Sequence, residues 1–125
     1  MEMRSQQVLL NKELSTNGWQ LTARTRDLPW WAEEVWTVES VWRPVGLRAF
    51  LTFEVDPMGH SGLQRAGEAG RPRRRGPDVW RVDCTRTWPE DAAEGDRIVE
   101  VGWKHWDQEM PKLIQALSCF RDDAV

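Results

Sequence analysis

The alternation of apolar and polar residues in several short segments constrains the fold of this chain most. Apolar residues at every second position are typical of a β-strand that buries one face and exposes the other. Four segments have this pattern: residues 19–24, 35–42, 47–55 and 79–86. Residues 98–101 are too few for periodicity to distinguish a fifth strand from the lead into a helix. The sequence therefore predicts four or five short strands.

Helical patterns flank these strands at both ends of the chain. In residues 5–16, Leu10 and Leu14 are four residues apart, and Gly18 follows as a helix stop. Near the C-terminus, Asp107 is a candidate N-cap for a second helix. The apolar stripe of that helix consists of Leu113, Ile114, Leu117 and Phe120. Each helix thus has one apolar side to bury.

These elements predict an α+β fold, an antiparallel four- to five-stranded meander with the N- and C-terminal helices packed on one face. A length of 125 residues predicts a single domain over residues 1–125. Alternation places four tryptophans on the inner sheet face: Trp19, Trp36, Trp42 and Trp80.

The opposite sheet face is predicted to be polar, with Phe50 as an exception that favours some cover over this face. Its polar residues are Gln20, Thr22, Arg24, Thr37, Glu39, Arg48, Thr52, Glu54, Arg81, Asp83 and Thr85. Such a face is either a solvated array of cross-strand ion pairs or a polar recognition surface, including a two-fold dimer contact.

Residues 57–78 lack apolar periodicity and are rich in glycine, proline and arginine, which predicts a flexible loop. Five arginines and two acidic residues give this segment a charge of +3, so the remainder of a chain of net charge −3 carries −6. Four of the arginines form a basic cluster: Arg71, Arg73, Arg74 and Arg75. This cluster either contacts phosphates of a nucleic acid or another polyanion, or is a solvated insertion.

Nine tryptophans and no tyrosine exceed what a small core needs. Beyond the four assigned to the inner face, Trp30, Trp31 and Trp106 are candidate contact residues for a partner, because exposed tryptophan is enriched at binding hot spots. Trp88 and Trp103, with Trp106 and His105 beside them, are alternative candidates for the wall of a small-molecule pocket.

No catalytic or metal-binding motif is recognisable in the sequence. The two histidines, His60 and His105, lack metal-ligand spacing, and Cys84 and Cys119 have no CxxC spacing and no adjacent base. The adjacent carboxylates Glu33 and Glu34 are interpreted as charged surface. The sequence therefore predicts neither a cofactor, a metal nor a catalytic residue, and favours a protein that is not an enzyme.

No apolar run approaches the length of a membrane span, and the chain start lacks a signal-peptide pattern. We expect a cytoplasmic protein without a membrane partner. The leading functional hypothesis is a binding module for a protein partner, possibly a second copy of this chain. The alternatives are a nucleic-acid or polyanion accessory protein and a small-molecule-binding protein.

Overall fold

A computed structural model describes residues 3–28, 30, 32–55 and 79–124, with the side chain of Trp80 excepted. Two helices and five strands follow one another in the described residues. The helices are α1 (Ser5–Thr16) and α2 (Trp106–Asp123). The strands are β1 (Trp19–Thr25), β2 (Ala32–Ser40), β3 (Arg48–Val55), β4 (Val79–Thr85) and β5 (Arg97–Gly102).

The five strands form one antiparallel sheet in the order β1-β2-β3-β4-β5. Each strand pairs with its neighbour in the chain, so the sheet is a meander with β1 and β5 at its edges. The predicted α+β meander is therefore confirmed, and residues 98–101 belong to a fifth strand. None of the helices in the described part is long and apolar enough to cross a membrane.

Both helices pack on the same face of the sheet, as predicted. Each contributes two fully buried leucines to one core, Leu10 and Leu14 from α1 and Leu113 and Leu117 from α2. The inner-face residues of all five strands complete this core: Trp19, Trp36, Val38, Ala49, Leu51, Phe53, Val82, Cys84 and Val101. Burial of Trp19 and Trp36 confirms two of the predicted inner-face tryptophans, whereas the side chain of Trp80 lies outside the described residues.

A β-bulge in β1 changes which side chains face the core. Leu21 pairs with Val38, but Ala23 pairs with Thr37, so Thr22 is an extra residue in this strand. Beyond the bulge, Ala23 is exposed and Arg24 lies opposite the core residue Trp36. Alternation over residues 19–24 predicts an inward Ala23 and an outward Arg24, and both predictions are wrong because one extra residue exchanges the two faces of a strand.

Predictions at the ends of two elements are also wrong. β2 ends at Ser40, and Trp42 lies in the following turn with 51% of its surface exposed rather than in the core. The second helix begins at Trp106 with His105 rather than Asp107 as N-cap, and Arg121, which lies outside the predicted apolar stripe, is buried.

Candidate functional site

Trp42 is the large aromatic side chain that the described surface exposes most. Its ring packs against the backbone of Gly18, where a Cβ atom would lie 2.2 Å from a ring carbon. Gly18 has a φ of +80°, a left-handed conformation that favours glycine. The hydroxyl of Ser40 donates a 2.7 Å hydrogen bond to the Trp42 carbonyl. These contacts hold both the ring and the backbone of an exposed tryptophan.

Arg121 of α2 packs against the same ring. Its guanidinium carbon lies 4.6 Å from the centroid of Trp42 and 4.9 Å from that of Trp19, so the cation lies against both rings. Only 5% of Arg121 is exposed, and this burial lowers the pKa of its guanidinium. The buried cation is thus placed against two aromatic rings, while the charge of the adjacent Asp122 only partly offsets the effect of burial on its pKa.

Backbone acceptors at the end of α1 satisfy the donors of Arg121. Its Nη2 donates to the Asn17 carbonyl over 2.8 Å, and its Nη1 donates to the Gly18 carbonyl and to Ser40 Oγ over 3.1 and 3.2 Å. Carbonyls at a helix C-terminus lack partners within the helix and carry partial negative charge. Arg121 therefore joins α2 to the end of α1 and to β2.

An open groove of about 800 Å³ lies beside Trp19 along α1 and β1. Its apolar rim is formed by Val8, Leu21 and Val41, of which Val8 and Val41 are about half exposed. Lys12 is the one charged residue among the lining residues. We call Val8, Leu21, Val41 and Trp42 the edge surface, because they border the edge strand β1.

The opposite sheet face carries a second aromatic group. Trp88 contacts Phe50 edge to face with ring centroids 5.7 Å apart, and Trp30 contacts Trp88 in the same way at 6.4 Å. Val35 and Thr52, a cross-strand pair on this face, are buried. The cover expected over Phe50 is therefore Trp88, and this aromatic group belongs to the outer face.

Acidic and basic side chains alternate beside this aromatic group. Carboxylate oxygens of Glu54, Asp83 and Glu100 lie within 4.8 Å of one another, a spacing that could hold a cation. However, Arg81 donates to Glu54 and lies 3.3 Å from Glu100, and Arg97 lies 2.8 Å from Asp83. Because two guanidinium groups already form ion pairs with the three carboxylates, we interpret this cluster as a cross-strand ion-pair network.

Burial and like charges act on the carboxyl of Glu54 in this network. Burial raises the pKa of Glu54, the hydrogen bond and charge of Arg81 lower it, and Asp83 and Glu100 raise it further. The net result is a pKa above the ordinary value of 4.5.

Glu34 was interpreted as charged surface from the sequence, and that interpretation is wrong. Its side chain is 1% exposed and accepts hydrogen bonds from Trp36 Nε1 at 2.6 Å, from Arg24 at 2.8 and 3.1 Å, and from Arg26 at 3.1 Å. Burial raises the pKa of Glu34, but these hydrogen bonds and the charges of both arginines outweigh burial and lower it. The adjacent Glu33 instead forms a bidentate ion pair with Arg4 at the start of α1.

The structure separates the residues that the sequence grouped as a pocket wall. Trp103 and Trp106 contact each other at 4.5 Å and are buried in the core, where Trp103 also touches Phe53. Trp88 lies on the opposite sheet face with Phe50, and His105 is exposed at the start of α2. The expected pocket of Trp88, Trp103 and Trp106 therefore does not form within the described residues.

The structure places the residues predicted to contact a partner in different environments. Trp106 is 5% exposed, so the expectation that it presents a contact surface is wrong. Trp30 is half-buried against Trp88. Trp31 lies outside the described residues, as do His60 and the cluster Arg71, Arg73, Arg74 and Arg75. The polyanion hypothesis therefore stays a prediction.

The two cysteines occupy different environments. Cys84 is buried in the core, as its strand position predicted, and burial strongly raises the pKa of its thiol. Cys119 is exposed on α2. At neutral pH Cys84 is therefore a protonated, apolar-facing side chain, which does not fit a nucleophile.

No protein-family model matches the chain, and neither a curated protein nor a solved structure shows significant similarity to it.

Proposed function

We propose that this protein is a binding module that recognises another protein through the edge surface, with Trp42 as its anchor. The observation that carries the proposal is the state of Trp42, which is half exposed and yet held by Arg121, Gly18 and Ser40. An exposed tryptophan that is already fixed loses little conformational entropy when a partner covers it. Rigid exposed tryptophans are the residues most enriched at binding hot spots.

The surroundings of Trp42 support this assignment. Charged residues make up 30% of the chain, but Lys12 alone is charged among the residues that line the neighbouring groove. The cores of protein interfaces are depleted in charged residues relative to the rest of the surface. The other polar residues of the groove, Asn11, Ser15, Thr16 and Gln20, are uncharged, so a groove of apolar and uncharged polar residues beside a fixed tryptophan is compatible with a contact surface.

Of the tryptophans expected to bind a partner, Trp31 lies outside the described residues and stays a prediction, and the other two are replaced in this proposal by one that the sequence assigned to the core. Trp106 is unsuitable because it is buried, and Trp30 because its ring packs against Trp88. The leading functional hypothesis is kept, while its anchor moves to Trp42.

Affinity capture from native, nuclease-treated lysate tests the proposal. We expect the wild-type chain to retain a protein that Trp42→Ala loses by at least about tenfold, since truncating a hot-spot residue costs ~2 kcal/mol or more. Val8→Ser provides a second test that does not disturb Arg121. Leu9→Ser is the matched control, because Leu9 and Val8 are both 53% exposed on α1 but Leu9 does not line the groove.

Folding of each variant is checked by circular dichroism and urea unfolding. Folded Trp42→Ala and Val8→Ser proteins that capture the same partners as the wild type would overturn the proposal. Equal losses from Val8→Ser and Leu9→Ser would also contradict it, because the effect would not be specific to the groove.

A further inference from the structure

The groove beside the edge surface has the shape of a site for a short polypeptide segment. Residues of α1 between Val8 and Thr16 form one wall, and residues of β1 together with Val41 form the other. Successive residues of a helix rise by about 1.5 Å, so the α1 wall is about 12 Å long. Small molecules bind in concave sites that bury most of their surface, whereas this groove is open along its length. An extended segment of about four residues matches the length of the wall.

Lys12 gives this groove a positive charge that no carboxylate in its lining offsets. Most basic side chains in the described part of the chain form ion pairs. Lys12 is exposed and has no ion pair with a described residue, and none of the residues that line the groove is acidic. Arg43, next to Trp42, is likewise exposed and without an ion pair to a described residue. The groove and the anchor are therefore locally cationic in a chain of net charge −3, and this charge favours an acidic occupant over a basic one.

The positions of Val8 and Lys12 determine how far apart the two matching groups of an occupant must be. Val8 and Lys12 are four residues apart on α1, so they lie on the same side of the helix at about 6 Å along its axis. In an extended segment, side chains two residues apart share a face and are separated by about 6.6 Å. An apolar side chain at Val8 and a carboxylate at Lys12 would therefore be two residues apart in the occupant.

We propose that the groove binds an extended segment of a partner protein in which an apolar residue and an acidic residue are two positions apart. The apolar side chain packs against Val8 and Leu21, and the carboxylate pairs with Lys12. A segment with a basic residue at that position is rejected, because like charges would meet. This inference rests on the proposed function, since it names the chemistry of the partner that the edge surface recognises.

Selection from a random twelve-residue peptide library displayed on phage, with the full chain as the target, tests this proposal. We expect the recovered peptides to share an aspartate or glutamate two positions from an aliphatic or aromatic residue. A synthetic peptide with the recovered motif should lose affinity by at least about tenfold when lysine replaces its acidic residue, because an attraction becomes a repulsion. A selection that enriches no peptide, or only peptides without an acidic residue, would overturn the proposal.

Exchange of the charge at position 12 tests the proposed ion pair directly. Lys12→Glu should weaken binding of the motif peptide by at least about tenfold and should restore binding of its lysine-substituted form. Lys104→Glu is the matched control, because Lys104 is also exposed and without an ion pair to a described residue, but does not line the groove. Equal losses from Lys12→Glu and Lys104→Glu would contradict the pairing with Lys12. Circular dichroism checks that both variants remain folded.

The possible failures of the two proposals are distinguishable because they are read from different experiments. A lysate partner that Trp42→Ala loses but Lys12→Glu retains overturns the acidic segment and leaves the proposed function supported. Peptide binding that depends on Lys12, with lysate capture insensitive to both Trp42→Ala and Val8→Ser, supports the chemistry of the groove and overturns the proposed function.

Discussion

The guanidinium of Arg121 lies 4.6 Å from the ring centroid of Trp42, and this contact couples the C-terminal helix to the exposed anchor of the edge surface. The same guanidinium donates to carbonyls at the end of α1. Three parts of the chain that are distant in sequence therefore meet at one side chain. This arrangement explains how a half-exposed tryptophan can have a fixed position.

We predict that Arg121→Met destabilises the fold by about 2–4 kcal/mol, because it removes the cation from between two rings, takes the donor from the part-buried Asn17 carbonyl and leaves the Gly18 carbonyl with the Val41 N–H alone. Arg121→Lys should cost less, since it keeps the charge but loses the planar fork. Urea unfolding at pH 7 measures both. Arg48→Met is the control, because its ion pair with Glu39 is exposed and should contribute less than about 1 kcal/mol. Equal costs for Arg121→Met and Arg48→Met would contradict this role of Arg121.

Gly18 and Gly46 form a natural pair for testing the contact between Gly18 and Trp42. Both have positive φ, +80° and +88°, but only Gly18 would place a Cβ against a side chain, whereas no atom lies within 4 Å at Gly46. Alanine should cost about 1–2 kcal/mol at each position for its backbone conformation. Gly18→Ala should cost a further ~1–3 kcal/mol by displacing Trp42. The difference between the two urea-unfolding free energies measures this contact, and a difference near zero would show that the ring moves away freely.

Periodicity predicted the meander and the core-facing residues of β2, β3 and β4 because regular pairing preserves the alternation of faces. It failed for Arg24, since nothing local in the sequence distinguishes Thr22 as an extra residue. It failed for Trp42 because a strand's end is set by its neighbours, here by the turn that follows Ser40. The apolar–polar alternation of the sequence therefore continues to residue 42, although β2 ends at Ser40.

The functional residues that the sequence did not identify depend on long-range contacts. Arg121 is separated from Gly18 by 103 residues, and Glu34 binds Arg24 across two strands. One signal was available: Glu34 is followed by Trp36 two positions later, which places a carboxylate and an indole N–H on one face of a strand. That spacing could have indicated a buried carboxylate, whereas the partners of Arg121 could not be read from local patterns.

The outer-face aromatic group yields a prediction that separates stability from binding. Trp88→Ala should destabilise the fold by about 1.5–3 kcal/mol, because it uncovers Phe50 and removes the edge contacts to Phe50 and Trp30. Trp88→Phe should retain much of this contact and cost less. Since the edge surface is elsewhere on the molecule, folded Trp88→Ala should capture partners as the wild type does. Loss of capture at unchanged folding would instead assign binding to the outer face.

Glu34, which is buried, and Glu54, which is partly buried, should contribute to the stability of the fold with opposite dependences on pH. The folded-state pKa of Glu34 is lowered from 4.5, so its ionised form stabilises the fold. That contribution is fully present above pH 4.5 and is lost as the pH falls through the lower folded-state value. The folded-state pKa of Glu54 is raised, so its contribution is fully present below pH 4.5 and is lost as the pH rises through the higher value.

Urea unfolding of Glu34→Gln and Glu54→Gln between pH 3 and pH 7 tests these signs. Glu34→Gln should cost about 3–5 kcal/mol at pH 7, because it breaks a buried ion pair, and its deficit relative to the wild type should shrink as the pH falls below 4.5. Glu54→Gln should instead gain stability relative to the wild type as the pH rises above 4.5. If the unfolding free energies of the two variants, relative to the wild type, changed with pH in the same direction, the opposite pKa shifts of Glu34 and Glu54 would be contradicted.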